Sequence, residues 1–251
     1  GDTDIIPFGQ GTGGSRSAAL GGSALLMASE KIVEKAKRIA AHMLEAAPDD
    51  IEHSEGVFRI AGTDRSTTIK EVAKAAANPA SIPDDMEPGL TAQAVYTGKV
   101  QNYPNGCHVV EVEVDPDTGQ VAIDRYTVVD DFGVVVNPLI VEGQVHGGIM
   151  QGVGQVLVED TIYDNDAQLL TGTFMDYTMP RADELTHISF STHPVPCVTN
   201  PLGVKGCGEA GNGGSYPGVY NAIMDAIGSR AKSELGIPAT PSRIWDAIHG
   251  A

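Results

Sequence analysis

The chain has 251 residues, 41% apolar and 20% charged, enough for one large domain or two small ones around a real core. Its 33 acidic against 16 basic residues give a net charge of −17, which argues against nucleic acid or an anionic membrane surface as the main partner. Three cysteines, Cys107, Cys197 and Cys207, stand far apart with no C-x-x-C pair, so neither a zinc nor an iron–sulfur site is expected within the chain. The same sparse thiols fit a reducing, cytoplasmic setting. No run of 18 apolar residues predicts a membrane span, and no basic region followed by an apolar stretch reads as a secretory signal.

Residues 5–14 read as a loop with four glycines. A helix is predicted from there to about Ala47, with Ser15 or Ser17 as its N-cap and Leu25, Leu26, Ile32, Val33, Ile39, Met43 and Leu44 near a 3.6 period. A glycine-rich loop feeding a helix N-terminus is an anion-binding arrangement. It matches neither G-x-x-x-x-G-K-[ST] nor a strand-borne G-x-G-x-x-G, so neither nucleotide fingerprint applies. Residues 51–60 predict a hairpin around Ser54-Glu55-Gly56, and Thr68 opens a short helix to about Ala77. Residues 78–106, with Pro79, Pro83, Pro88 and Pro104, read as an extended connection between a first lobe over 1–100 and a second over 101–251.

Val109 to Val114 alternates, turns at Asp115-Pro116-Asp117-Thr118-Gly119 and returns through Val121 to Val129, a hairpin ended by Asp130, Asp131, Gly133, Asn137 and Pro138. A helix is predicted from about Leu139 to Val158. It holds Gly143, Gly147, Gly148, Gly152 and Gly154, each costing about 1 kcal/mol relative to alanine unless something packs against the backbone. Gln144, Gln151 and Gln155 share one side of it; His146 reads as a partly exposed helical histidine. A further hairpin around Asp164-Asn165-Asp166, a strand over His187–His193, a helix from about Ser215 to Ile227, and a short helix carrying Trp245 as a core or packing residue follow.

Between that strand and helix, Gly203 to Gly214 packs six glycines around one lysine, Lys205, and one carboxylate, Glu209. An acid fixed in such a loop is a candidate general base; a solvated glutamate in a glycine-rich turn is the other reading. Two glycine-rich loops before helices, with a glycine-rich helix, point to one bulky, phosphate-bearing ligand gripped by backbone N–H groups and amide side chains.

Four segments occur in one order: Gly11-Thr12-Gly13-Gly14-Ser15-Arg16-Ser17, Val112-Glu113-Val114-Asp115-Pro116-Asp117-Thr118-Gly119, Asn137-Pro138 with Glu142-Gly143-Gln144-Val145-His146-Gly147-Gly148, and Gly203-Val204-Lys205-Gly206-Cys207-Gly208-Glu209-Ala210-Gly211. That series closely resembles the molybdopterin-binding subunit of the xanthine dehydrogenase, aldehyde oxidase and aerobic carbon monoxide dehydrogenase family, specifically the C-terminal half of its large subunit. The resemblance implies an α+β fold, with two similar lobes of antiparallel sheet packed with helices and a cofactor between them. It implies a molybdenum–pyranopterin cofactor, molybdopterin itself or its cytosine dinucleotide form, and oxidative hydroxylation of a small substrate with oxygen from water.

By the same likeness Glu209 matches the family's catalytic base. Gly13, Gly14 and Ser15 match the segment whose backbone approaches the cofactor, Ser17 a serine beside it, and Gln144 an amide that bonds it. Lys205 and Gly208 match positions of the active-site loop near the cofactor, and the resemblance implies that both bind it. Cys207 stands where an aliphatic residue is more usual, and packing rather than metal ligation is expected of it. The N-terminal half of the large subunit, an iron–sulfur subunit and a flavin (FAD) subunit are implied partners; no metal ligand is assigned within this chain. Aldehyde, N-heterocycle and carbon monoxide remain open as substrates, and a non-catalytic binding or scaffold domain of the same fold is the alternative.

Overall fold

The computed structural model describes Asp2, Asp4 and residues 11–98, 100–184 and 187–250. Residues 5–10 of the first glycine-rich loop therefore lie outside the described residues. Contacts divide the chain into two units: one runs from Leu20 to Gly98, and the other joins 11–19 to the described residues from 100 onward.

In the Leu20–Gly98 unit, helix α1 (Ser23–Leu44) packs on a three-stranded antiparallel sheet, β1 (Ile51–Ser54), β2 (Val57–Ile60) and β3 (Ser66–Thr68), in that order, with α2 (Ile69–Ala76) beside it. The hairpin falls where the sequence put it. Ala36, Ile39, Ala40, Ile51, Phe58, Val72 and Ala76 form the core. Thr68 caps α2 reciprocally with Glu71: the Thr68 backbone N–H donates to Glu71 Oε2 at 2.8 Å, and the Glu71 N–H to Thr68 Oγ1 at 3.4 Å. The predicted cap of α1 is corrected. Ser15 takes a left-handed conformation (φ 53°) and the Ser17 hydroxyl pairs with Thr12 Oγ1 at 2.5 Å, so neither caps a helix. A wide π-type turn over Ser17–Gly22 precedes α1, which ends at Leu44 because Glu45 is left-handed.

The other unit is built on β4 (Asn105–Val114), β5 (Val121–Asp131) and β6 (Ile188–Thr192), in the order β4-β5-β6. β4 and β5 form the expected hairpin. β6 departs from the antiparallel expectation and pairs parallel to β5, because the chain between them passes through a whole helix, α3 (Pro138–Leu157), rather than a tight turn. Helix α4 (Ala210–Ile227) lies against β4 and α3, and α5 (Pro241–His249) closes the core of Tyr126, Val128, Phe132, Val145, Ile149, Val219, Ile223 and Ile244. The hairpin around Asp164–Asp166 is present in minimal form: Tyr163 bridges Leu169 antiparallel, the Asp164 N–H donates to the Gln168 carbonyl (3.0 Å) and the Leu170 N–H to that of Ile162 (2.8 Å), and its side chains are exposed. Of the two roles expected for Trp245, the structure shows packing: it is 38% exposed and stacks on His249 at 4.3 Å. One further expectation changes: α4 begins at Ala210, five residues earlier than predicted.

That early start follows from helix packing. A Cβ at Gly211 would lie 2.3 Å from the Val145 carbonyl oxygen, and one at Gly148 would lie 2.9 Å from the Asn212 nitrogen. One turn on, a Cβ at Gly152 would lie 2.0 Å from Ser215 Oγ. Gly148 and Gly152 on α3 thus meet Gly211 and Ser215 on α4, each pair four residues apart and on one helix face, so the backbones touch. Gly143 and Gly147 differ: a Cβ there would meet nothing within 4 Å.

The loop leading into α4 is tied down at one carboxylate. Asp131 Oδ1 accepts from the backbone N–H of Gly133 (2.8 Å) and Val195 (2.9 Å), and Oδ2 from the Lys205 ammonium. Burial alone would raise its pKa, but these three donors outweigh it and hold Asp131 at about 2. Lys205 N–H donates to the Phe132 carbonyl (2.8 Å) and Val134 N–H to that of Gly203 (2.8 Å), while the Asn200 amide brackets Val204 through Nδ2 to its carbonyl (2.9 Å) and Oδ1 from its N–H (3.2 Å). Gly133 (φ +62°) is required here: a Cβ would sit 2.1 Å from the Gly203 carbonyl oxygen.

Two predictions follow from this packing and pairing. Gly211→Ala should lower unfolding free energy by about 1–3 kcal/mol, whereas Gly147→Ala should raise it by up to about 1 kcal/mol, both read by chemical denaturation. A depressed acid stabilises above its unfolded-state value near 4 and loses that contribution as pH falls toward 2. Asp131→Asn, which leaves the Lys205 ammonium uncompensated, should therefore cost about 3 kcal/mol at neutral pH and flatten the acid limb of the stability profile between pH 4 and 2.

Candidate functional site

Glu209 is the residue immediately before α4, in the N-cap position (φ −112°, ψ −5°), with no side-chain cap bond. Its carbonyl accepts the Gly213 N–H at 2.9 Å, while its side chain is exposed. The free N–H groups of the first turn of α4 and the helix dipole favour a carboxylate at this place. The side chain lines a cleft of about 400 Å³ between the start of β4 and the first turns of α4.

The glycines before it are close-fitting. A Cβ at Gly206 would lie 2.0 Å from Ser15 Cβ; one at Gly208 would lie 3.3 Å from Ser15 Oγ and 3.7 Å from Gln144 Nε2. The structure thus brings Ser15, Gln144 and the Gly206–Gly208 turn together, one residue from Glu209. Gln144 is exposed on α3, between the two glycines that nothing in the unit packs against. Gly13 and Gly14 also face open space beside Ser15. Ser17 is exposed and engaged with Thr12. Lys205 differs from a free ligand-binding cation, because its ammonium is committed to Asp131. Cys207 packs against the core, and burial pushes its thiol up. Ser15 and Gln144 do not line the Glu209 cleft; they meet the loop on the residues just before it.

Sequence reasoning missed what lies at the back of the cleft. Asp130 is 2% exposed; its Oδ1 lies 3.5 Å from His108 Nε2, and among the described residues its Oδ2 has no hydrogen-bond partner. His108 Nδ1 and Tyr126 Oη are 2.7 Å apart. Burial pushes the Tyr126 phenol up, against the lowering effect of its hydrogen bond with Ser215, so it stays protonated. Nδ1 of the imidazole is thus engaged by Tyr126, and Nε2 faces Asp130. Space for both side chains comes from glycines. A Cβ at Gly106, across the strand pair from Asp130, would lie 1.8 Å from its Oδ1, and one at Gly214 would lie 2.4 Å from the His108 ring. The available signal was a pair of adjacent acids at the end of a valine-rich strand, read only as strand-ending residues.

Among the described residues no group of three His, Cys, Asp or Glu side chains could hold a metal ion, and no helix is long and apolar enough to cross a membrane. The model of the molybdopterin cofactor-binding domain matches residues 1–186. The chain is 40% identical over 250 residues to the gamma subunit of the 6-hydroxypseudooxynicotine dehydrogenase complex of Paenarthrobacter nicotinovorans, covering 99% of this chain and 31% of that one. It is 35% identical over 249 residues to the carbon monoxide dehydrogenase large chain of Hydrogenophaga pseudoflava, again 99% of this chain and 31% of that one. Among solved structures, reconstituted CO dehydrogenase from Oligotropha carboxidovorans matches with a TM-score of 0.92 at 35% identity, over 100% of this chain and 31% of its own. Quinoline 2-oxidoreductase from Pseudomonas putida 86 matches with a TM-score of 0.88 at 35% identity, over 96% of this chain and 31% of its own. The chain thus spans about a third of the length of these relatives. By the domain match over most of its length, and by these likenesses, the chain belongs to the molybdopterin-binding domain family of the xanthine dehydrogenase and carbon monoxide dehydrogenase large subunits.

Proposed function

We propose that this chain is part of the large subunit of a molybdenum hydroxylase, with Glu209 as the general base. The observation that carries this reading is the position of Glu209. It is an exposed carboxylate with no cap bond at the N-terminus of α4, in a loop fixed through Asp131, Lys205 and Asn200, at the rim of a cleft. A base must be accessible, ionised and held in one place, and an anchored turn meets the last condition without consuming the carboxylate.

The residues fit a bulky, hydrogen-bonding group. Gly13, Gly14, Gly143 and Gly147 are glycines with open space where a Cβ would go. In a helix such as α3 that choice costs about 1 kcal/mol per residue relative to alanine, and a ligand approaching the backbone accounts for it. Gln144, exposed between two of them, offers an amide donor and acceptor. Gly13, Gly14, Ser15 and Gly208 offer backbone N–H groups, and Ser17 a hydroxyl. Lys205 serves through the loop it holds to Asp131. When bound, the molybdenum–pterin group, in its molybdopterin or cytosine dinucleotide form, supplies the oxygen-transfer and two-electron chemistry. Glu209 takes the proton released as water delivers its oxygen to a small substrate: an aldehyde, an N-heterocycle or carbon monoxide.

Electrons need a path out, and the three separate, unpaired cysteines of this chain offer none. We therefore assign iron–sulfur and FAD centres to partner subunits, and the remaining cofactor contacts to the rest of the large subunit. The unpaired thiols also favour a cytoplasmic assembly.

In the assembled enzyme, Glu209→Gln should lower kcat by about 10²–10⁴-fold with molybdenum content unchanged by metal analysis; near-normal turnover would remove the base from this account. Gln144→Ala should reduce pterin and molybdenum content several-fold, as expected for one lost hydrogen bond of about 1 kcal/mol. Because the side chain is exposed, the unfolding midpoint of the cofactor-free protein should not move.

A further inference from the structure

Buried carboxylates ordinarily collect donors until both oxygens are satisfied. Asp131 does so, with three. Asp130, its neighbour, does not: among the described residues Oδ1 faces His108 Nε2 at 3.5 Å, beyond good hydrogen-bond length, and Oδ2 has no partner. Leaving a buried carboxylate in that state is costly. The chain nevertheless keeps two glycines, Gly106 and Gly214, that give the Asp130 carboxylate and the His108 ring their room. Both glycines and both side chains line the same cleft as Glu209.

The chemistry of that cleft selects its ligand. Its lining carries two carboxylates, Asp130 and Glu209, and neither lysine nor arginine. Its one basic side chain, His108, has Nδ1 engaged by Tyr126 and Nε2 turned toward Asp130. A metal ion is a poor match, since no three ligating side chains converge among the described residues. An anion would meet two like charges. A ligand bearing both positive charge and N–H donors supplies what Asp130 lacks, and about 400 Å³ admits a molecule of ring size.

We propose that this cleft binds a cationic nitrogen group, a protonated amine or amidinium, with Asp130 as its acceptor. The proposal deepens the reading of Glu209 as the base, because that residue stands at the cleft's rim and the cation would be one end of the molecule presented to it. Its test does not depend on turnover. His108 and Tyr126 act as positioning residues: the phenol pairs with Nδ1 and holds the imidazole ring with Nε2 on the Oδ1 side of the carboxylate, which leaves Oδ2 open to a ligand.

The test is calorimetric titration of the assembled complex with benzamidine and with benzamide, which share a shape and differ in charge. The expected result is at least about tenfold tighter binding of benzamidine. That ratio should fall to near unity in Asp130→Asn and stay well above unity in Glu209→Gln, whatever Glu209→Gln does to turnover. Equal affinities in the unsubstituted complex would overturn the proposal. So would a preference that survives Asp130→Asn but vanishes in Glu209→Gln, which would assign the cation to the rim carboxylate instead. Absence of saturable binding of either probe would show the cleft covered in the assembly and would overturn it too. Should Asp130→Asn fail to fold, the unsubstituted and Glu209→Gln complexes decide the question between them.

Discussion

The ionised carboxylate of Asp131 is the constraint on which the site depends. Three segments that are distant in sequence meet on it: the turn at Gly133, the proline-rich stretch at Val195, and the glycine-rich loop through Lys205. A loop with glycines at positions 203, 206 and 208 has many conformations open to it, and ordering it is entropically expensive. A charged pair is a demanding way to offset that cost, since both ions must leave water. It has a directional consequence that an apolar contact lacks: Gly133 and Val195 fix Oδ1 from outside the loop, and a shift of the loop would take the Lys205 ammonium off Oδ2. The position of Glu209, four residues beyond Lys205, inherits that restriction.

Glycines in this chain do two jobs that look alike in sequence. In α3, Gly148 and Gly152 let α4 come within backbone contact, while Gly143 and Gly147 face open space on the same helix. The first pair explains the second helix's early start, because Gly211 must already be helical to meet Val145 and Ile149. The second pair has no such partner in the unit and stands beside Gln144. Helix packing and ligand approach both require a missing Cβ, so only the identity of the neighbour separates them.

That is also why the sequence was legible in some places and silent in others. Features written in local chemistry could be read: the β4–β5 hairpin from its alternating valines and Asp-Pro-Asp-Thr-Gly turn, and the start of α2 from Thr68 and Glu71. Features decided by distant contacts could not. The parallel pairing of β6 depends on a helical crossover, the failure of Ser15 and Ser17 as caps on a left-handed residue and a hydroxyl pair, and the exposure of Trp245 on what α5 packs against. At the site, Glu209, Ser15 and Gln144 were legible as motif members. The commitment of Lys205 to Asp131, and the buried His108–Asp130 pair, were not, because each joins residues more than 20 positions apart and neither leaves a local pattern.

Asp130 and Asp131 show the same dependence on neighbours in two adjacent side chains. Adjacent residues on a strand point to opposite faces, so one dipeptide sends a carboxylate to each side of β5. On one face the carboxylate finds three donors and becomes structural. On the other it finds an imidazole at long range and an open cleft, with two glycines clearing its path. Identical side chains, one bond apart in the chain, thus acquire different chemistry from their surroundings alone. The satisfied one fixes the loop that carries Glu209; the unsatisfied one leaves an acceptor facing the space that Glu209 overlooks. The donors that hold the first come from Gly133, Val195 and Lys205, and none of them bonds the second. Anchor and acceptor can therefore vary independently in a protein that keeps the loop and changes the ligand.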